Sequence, residues 1–248
     1  MRSRILLASA AALAAAGAFA ADPVPPFPGL TRLDLGNEHI VIWYPDAGAK
    51  RIESPPAYLK DYEEAGVYAS QPLVLELGHG LPALALACDS GPSNDPSCRL
   101  LSKFDDPRSA VFEAAGNTFA FLPGGDIYVS GATDYTYDHR RLFRYDGKRF
   151  IEVAQPFRYV GIEGRTTAPL VLTSERTADA RKGPKPAILT LAAGTSLTVL
   201  LNAASGDDEN GQNPDYLVRT REGIVGWAHL PTRPDGTTIV EGLRYNGD

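Results

Sequence analysis

An all-β fold is what this sequence predicts, and three features carry the prediction. Short runs rich in Val, Ile, Leu and aromatic residues recur along the chain, divided by Gly, Pro, Asn and Asp. Two of the dividing turns have hairpin chemistry: Asp146-Gly147 between 141–145 and 149–153, and Arg221-Glu222-Gly223 between 216–220 and 223–228. Only 58–65, which follows Pro55-Pro56 and stops at Gly66, reads as a helix after the N-terminal leader.

Taken in order, the elements fall into two units. Strands are expected at 39–44, 73–77, 83–88, 110–114, 118–122, 126–130, 141–145 and 149–153. Successive hairpins at this spacing predict an antiparallel β domain over 30–156, either a sandwich or a partial barrel. No repeat of propeller or solenoid length is visible. The stretch 157–167, with two glycines, reads as a linker. A second β unit follows at 168–231, and 232–248 reads as a C-terminal tail.

The N-terminus predicts export. Arg2 and Arg4 precede an apolar run at 5–16, and Ala18-Phe19-Ala20 has the pattern of a leader cleavage site, so 1–20 is read as a signal peptide. The run is too short to span a bilayer, and no later stretch is long and apolar enough to do so. An extended Pro-rich segment at 21–29 comes next. Lys and Arg number 24 against 30 Asp and Glu, and loss of Arg2 and Arg4 with the leader takes the formal net charge from −6 to −8. So acidic a chain is not expected to bind nucleic acid. The expected location is periplasmic or secreted; the oligomeric state is not encoded in any pattern.

Cys88 and Cys98 are the only cysteines. Export, an even count and the turn-rich segment between them predict a local disulfide. Closing so short a loop stabilises by about 2–3 kcal/mol in the chain-entropy treatment. A nucleophile reading of Cys88-Asp89-Ser90-Gly91 is weaker, because a thiolate needs a base nearby and the second cysteine argues for pairing. The same four residues lack the second glycine of the Gly-Asp-Ser-Gly-Gly-Pro nucleophile turn. His39, His79, His139 and His229 form no metal-binding spacing, and the acidic loop at 205–215 lacks the carboxylates of a calcium loop. No metal, cofactor or catalytic residue is therefore expected.

The segment 139–149 is basic in an otherwise acidic chain. Arg141, Phe143 and Tyr145 share one strand face by period, with Leu142 and Arg144 on the other. Arg140, Arg144 and Arg149 are candidate contacts for an anionic sugar or phosphate. The same charges equally suit an edge hairpin guarded against aggregation.

In the second unit, a strand at 188–191 is followed by the Ala192-Ala193-Gly194 turn, a strand at 195–201, a polar loop, the Tyr216-Leu217-Val218-Arg219 strand and the closing Gly226-Trp227. This order resembles the bacterial SH3-like (SH3b) domain over roughly 168–231. The resemblance implies a small SH3-like β barrel following the antiparallel domain. It also implies a shallow groove lined by aromatic residues, for which Tyr216 and Trp227 are the candidates, with Phe157 and Tyr159 nearby in sequence. Trp227 can instead belong to the core. The opening strand, Pro169-Leu170-Val171-Leu172, departs from the usual Val-Arg start of such modules. The resulting expectation is a non-catalytic envelope protein that binds a peptidoglycan-related polymer or another envelope protein. The alternative is a cell-envelope hydrolase with its site in the first β domain.

Overall fold

The computed structural model describes residues 27–35, 40–51, 73–78, 80–89, 95–132, 134–176, 185–203 and 214–247. The expected leader, the helix expected at 58–65, His39, His79 and most of the acidic loop lie outside them. Strands are numbered along the chain. The first part contains β1 (Thr31–Leu35), β2 (Ile40–Tyr44), β3 (Ala49–Arg51), β4 (Leu73–Leu75), β5 (Leu84–Asp89), β6 (Ser97–Leu101) and β7 (Ala110–Ala115). Then come β8 (Thr118–Phe121), β9 (Ile127–Gly131), β10 (His139–Tyr145) and β11 (Phe150–Glu152). The second part contains β12 (Phe157–Arg165), β13 (Leu170–Thr173), β14 (Ala187–Leu191), β15 (Ser196–Ala203), β16 (Asp215–Thr220) and β17 (Val225–His229). The protein is all-β, as its apolar runs and turns predict.

The first part is a sandwich of two sheets, ordered β1-β2-β8-β9-β10-β11 and β3-β4-β5-β6-β7. Ile40, Ile42, Phe119 and Phe121 from one sheet share a core with Leu73, Leu75, Leu84, Leu86, Leu100 and Phe112 from the other. Antiparallel pairing has one exception: β2 runs parallel to β8, with Val41 opposite Thr118 and Trp43 opposite Ala120. Parallel neighbours need a long crossover, and β3 to β7 supply it by building the second layer. Cys88 and Cys98 face each other across β5 and β6, their Cα atoms 4.1 Å apart, and are joined by a disulfide within this core. On the opposite face of the first sheet, Phe27 folds back onto Trp43 and Tyr128, with ring centroids 5.8 and 5.2 Å away.

The second part differs from its expected form in three respects. The stretch 157–167 is no linker: Phe157–Arg165 is β12, the longest strand described, paired with β15 from Phe157↔Ala203 to Arg165↔Ser196. Six strands run in the order β12-β15-β16-β17-β13-β14, and this sheet does not close into a barrel among the described residues. Finally, 232–248 is no loose tail, because Val240 and Leu243 are buried with Val160, Leu172, Val199 and Val218. Two apolar side chains of the last segment complete the core that an open sheet leaves uncovered.

That segment is stitched to the end of β12 and the residues just after it by backbone bonds, Glu241 N–H to the Arg165 carbonyl at 2.9 Å and Thr167 N–H to the Ile239 carbonyl at 2.8 Å. The approach is close enough that a Cβ on Gly164 would collide with the Glu241 carbonyl oxygen. Gly164→Ala is therefore expected to push the C-terminal segment off β12 and to cost about 1–3 kcal/mol, as overpacking does. Urea unfolding of the variant against the parent measures the loss, and limited proteolysis should cut the variant earlier within 232–248.

Candidate functional site

Alternation along three strands separates the two faces of the second sheet. On β16, Tyr216, Val218 and Thr220 are buried while Leu217 and Arg219 point to the other side. On β17, Gly226 and Ala228 face the core and Trp227 the outer surface. Pairing carries this outer row across the sheet: Tyr159 lies opposite Leu201, Leu201 opposite Leu217, and Leu217 opposite Trp227. Phe157, two residues from Tyr159 on β12, completes an aromatic surface. Phe157 is 42% and Tyr159 51% exposed. The Phe157 and Trp227 rings approach to 6.1 Å between centroids, leaning toward each other over the two intervening strands.

Two arginines lie over these rings. The Arg140 guanidinium carbon sits 4.9 Å from the Tyr159 centroid, and that of Arg176 sits 5.9 Å from the Trp227 centroid. Arg140 also pairs with Asp138 at 3.0 Å. It belongs to β10 of the first part, so the surface continues from one sheet to the other. Exposed rings with cations at their faces suit an anionic ligand that has flat apolar surfaces, since stacking and charge act together there.

The residues expected to bind ligand are thus divided by the fold. Trp227 and Arg140 belong to this surface. Tyr216 does not: it is 2% exposed, and its hydroxyl is 2.9 Å from Oγ1 of Thr136. Its place on the same face of β16 as Val218 puts it in the core. Arg144 makes a two-pronged ion pair with Asp126, at 3.0 Å from Nε and from Nη2, which holds the Asp126 carboxyl below its usual pKa. Arg149 is exposed at the turn, where the Asp146 carboxylate accepts its backbone N–H at 2.9 Å. Arg176 and the exposure of Phe157 and Tyr159 complete the surface, but the register that aligns them is not visible in a linear pattern.

A second polar constellation lies between the two sheets. His139 is 2% exposed and its ring packs at a tilt against that of Tyr135, with centroids 4.0 Å apart. Burial first, then the charges of Arg158 and Arg141, lower its pKa to about 3. Tyr137 is buried in the second core and its hydroxyl donates to Oδ1 of Asn202 at 3.1 Å; burial pushes that hydroxyl's pKa up. A third pairing, Asp215 with His229 at 3.1 Å, joins a buried carboxylate to a half-exposed imidazole across β16 and β17. Among the described residues that carboxylate is the side-chain hydrogen-bond partner of the His229 ring.

Elsewhere, a cleft of about 690 Å³ at the far end of the second sheet is bordered by Glu163, Arg165, Arg219, Arg221, Glu222 and Glu241, whose charges balance. No group of three or more metal-ligating side chains occurs among the described residues, and no helix there is long and apolar enough to cross a membrane. No protein-family model, curated protein or solved structure matches the chain.

Two outcomes follow. Tyr216→Phe leaves the Thr136 hydroxyl without its buried partner and should cost about 1–3 kcal/mol in urea unfolding. For His139, the folded-state pKa lies below the unfolded value of about 6.5, so the unfolded chain takes up a proton that the folded one refuses. Its contribution is complete above about pH 6.5 and is lost as the pH falls from there toward about 3, at up to roughly 1.4 kcal/mol per unit. Unfolding at pH 5 and pH 7 in low-salt sulfonate buffer should show a larger acid loss in the parent than in His139→Phe.

Proposed function

We propose that this chain is an exported, non-catalytic binding protein of the bacterial envelope. In this reading the second sheet is an SH3-like module that grips a peptidoglycan-related polymer through its outer aromatic face. The observation that carries the reading is the row Phe157, Tyr159 and Trp227, exposed or half-exposed, with Arg140 and Arg176 over the Tyr159 and Trp227 rings. Sugar rings offer flat C–H faces to aromatic side chains, and the peptide carboxylates of such a polymer offer partners to the two arginines. Of the strands on which the SH3-like resemblance rests, β15, β16 and β17 lie side by side, which supports the reading, whereas β14 pairs with β13 at the far edge of the sheet. The disulfide agrees with an oxidising compartment.

Purified sacculus is the test ligand. The parent should co-sediment with it, and Tyr159→Ala or Trp227→Ala should each weaken binding by about tenfold, or roughly 1.4 kcal/mol. Arg144→Gln and Arg149→Gln should bind as the parent does. Failure of the parent to sediment with sacculus would sink the proposal. Release of soluble muropeptides during the same incubation would favour the hydrolase alternative.

A further inference from the structure

The polar constellation between the sheets has donors without acceptors. His139 and Arg141 project from one face of β10, and Arg158 projects from β12 beside them. Both ring nitrogens of His139, Nε of Arg141 and Nη1 of Arg158 are buried and make no hydrogen bond among the described residues. The charges of Arg141 and Arg158 both act on His139, and that of Arg158 acts on Arg141, which places the three groups near one another. Buried polar groups are almost always paired, and a buried cation without a counter-charge is costly.

The rest of the neighbourhood does not supply that counter-charge. No carboxylate of a described residue lies within ion-pair distance of Arg141 or Arg158. Glu152 acts on Arg141 only from beyond that distance. The Tyr137 hydroxyl, which donates to Asn202, is also a hydrogen-bond partner for the Arg158 side chain, but it is neutral and brings no counter-charge. Nη2 of Arg141 is occupied by the Ala115 carbonyl, which fixes the guanidinium while its Nε stays unpaired.

We propose that His139, Arg141 and Arg158 form a binding site for a small oxyanion, a carboxylate or phosphate group held between the two sheets. Three residues offer N–H donors and two of them are cations, while the acceptors among these side chains are one imidazole nitrogen and the Tyr137 hydroxyl oxygen, both neutral. That balance selects an anion over a cation or a neutral polar group. Guanidinium donors match the oxygens of carboxylate and phosphate, and the Tyr135 ring packs against His139 on one side of the cluster. Because the ligand would touch β10 and β12 together, it would tie the two sheets to each other. This site is separate from the aromatic face, and its test does not depend on sacculus binding.

The experiment is a thermal melt of the full chain in HEPES at pH 7, with sodium phosphate or sodium acetate replacing sodium chloride at constant ionic strength. A saturable rise in Tm is expected, about 5 °C at a hundredfold excess over Kd, and acetate against phosphate tells a carboxylate ligand from a phosphate one. Arg158→Met and Arg141→Met should lose the response and be no less stable than the parent without the anion, while Arg144→Gln should keep it. Equilibrium dialysis of the parent against radiolabelled phosphate and acetate, which does not require a folded variant, should find about one bound anion per chain. No saturable rise with either anion, no bound anion in dialysis, or an equal response in folded Arg158→Met would overturn the proposal.

Discussion

The arrangement of this protein depends on residues 136 and 137, which leave the first sheet and are buried in the second core. Tyr137 packs edge-on against Tyr216 at 6.3 Å and bonds to Asn202, and Thr136 bonds to the Tyr216 hydroxyl. These contacts join side chains distant in sequence, in surroundings where an unpaired hydroxyl is costly. They act as a dovetail: once Tyr137 is seated, β10 must run alongside β12. Two consequences follow on opposite faces of that seam. Arg140 reaches Tyr159 on the outside, and His139 and Arg141 meet Arg158 on the inside.

The charges of the chain differ accordingly in what they contribute. Pairs such as Arg32 with Asp34, Lys50 with Glu76 and Arg144 with Asp126 are solvated, and such pairs contribute little to stability. The Arg144 pair nonetheless explains part of the basic hairpin: its guanidinium is already engaged by a carboxylate of the preceding turn. Buried polar groups at the seam weigh far more, because desolvation there is compensated only by complete hydrogen bonding or a bound counter-charge. The half-exposed rings on the outer face are the third class, apolar area left accessible beside cations.

Long-range pairing dominates the topology. β2 must wait for β8, and β12 to β17 are completed only by the last residues of the chain, through Val240 and Leu243. Contacts of this separation require closing long loops before any favourable contact forms, which favours slow folding. The disulfide acts on one of the local steps, tying β5 to β6 in a hairpin that is part of the first core.

What the sequence determined by itself was local. Apolar alternation and the Asp146-Gly147 and Arg221-Glu222-Gly223 turns were enough for the all-β class and for the hairpins β10–β11 and β16–β17. Two cysteines on either side of a turn-rich segment were enough for the disulfide, and period-2 alternation correctly set Arg141 and Phe143 apart from Arg144. Tertiary structure decided the rest. The glycines at 161 and 164 suggested a linker, yet one sits at a bulge and the other where a neighbouring backbone approaches, so both belong to β12. Tyr216 and Trp227 are both aromatic strand residues, and only the face each occupies makes one core and the other surface. Likewise Arg140 with Tyr159, and His139 with Arg158, meet because β10 and β12, strands of different sheets, pack against each other. No linear pattern records such a meeting, since it is fixed by which buried surfaces find each other.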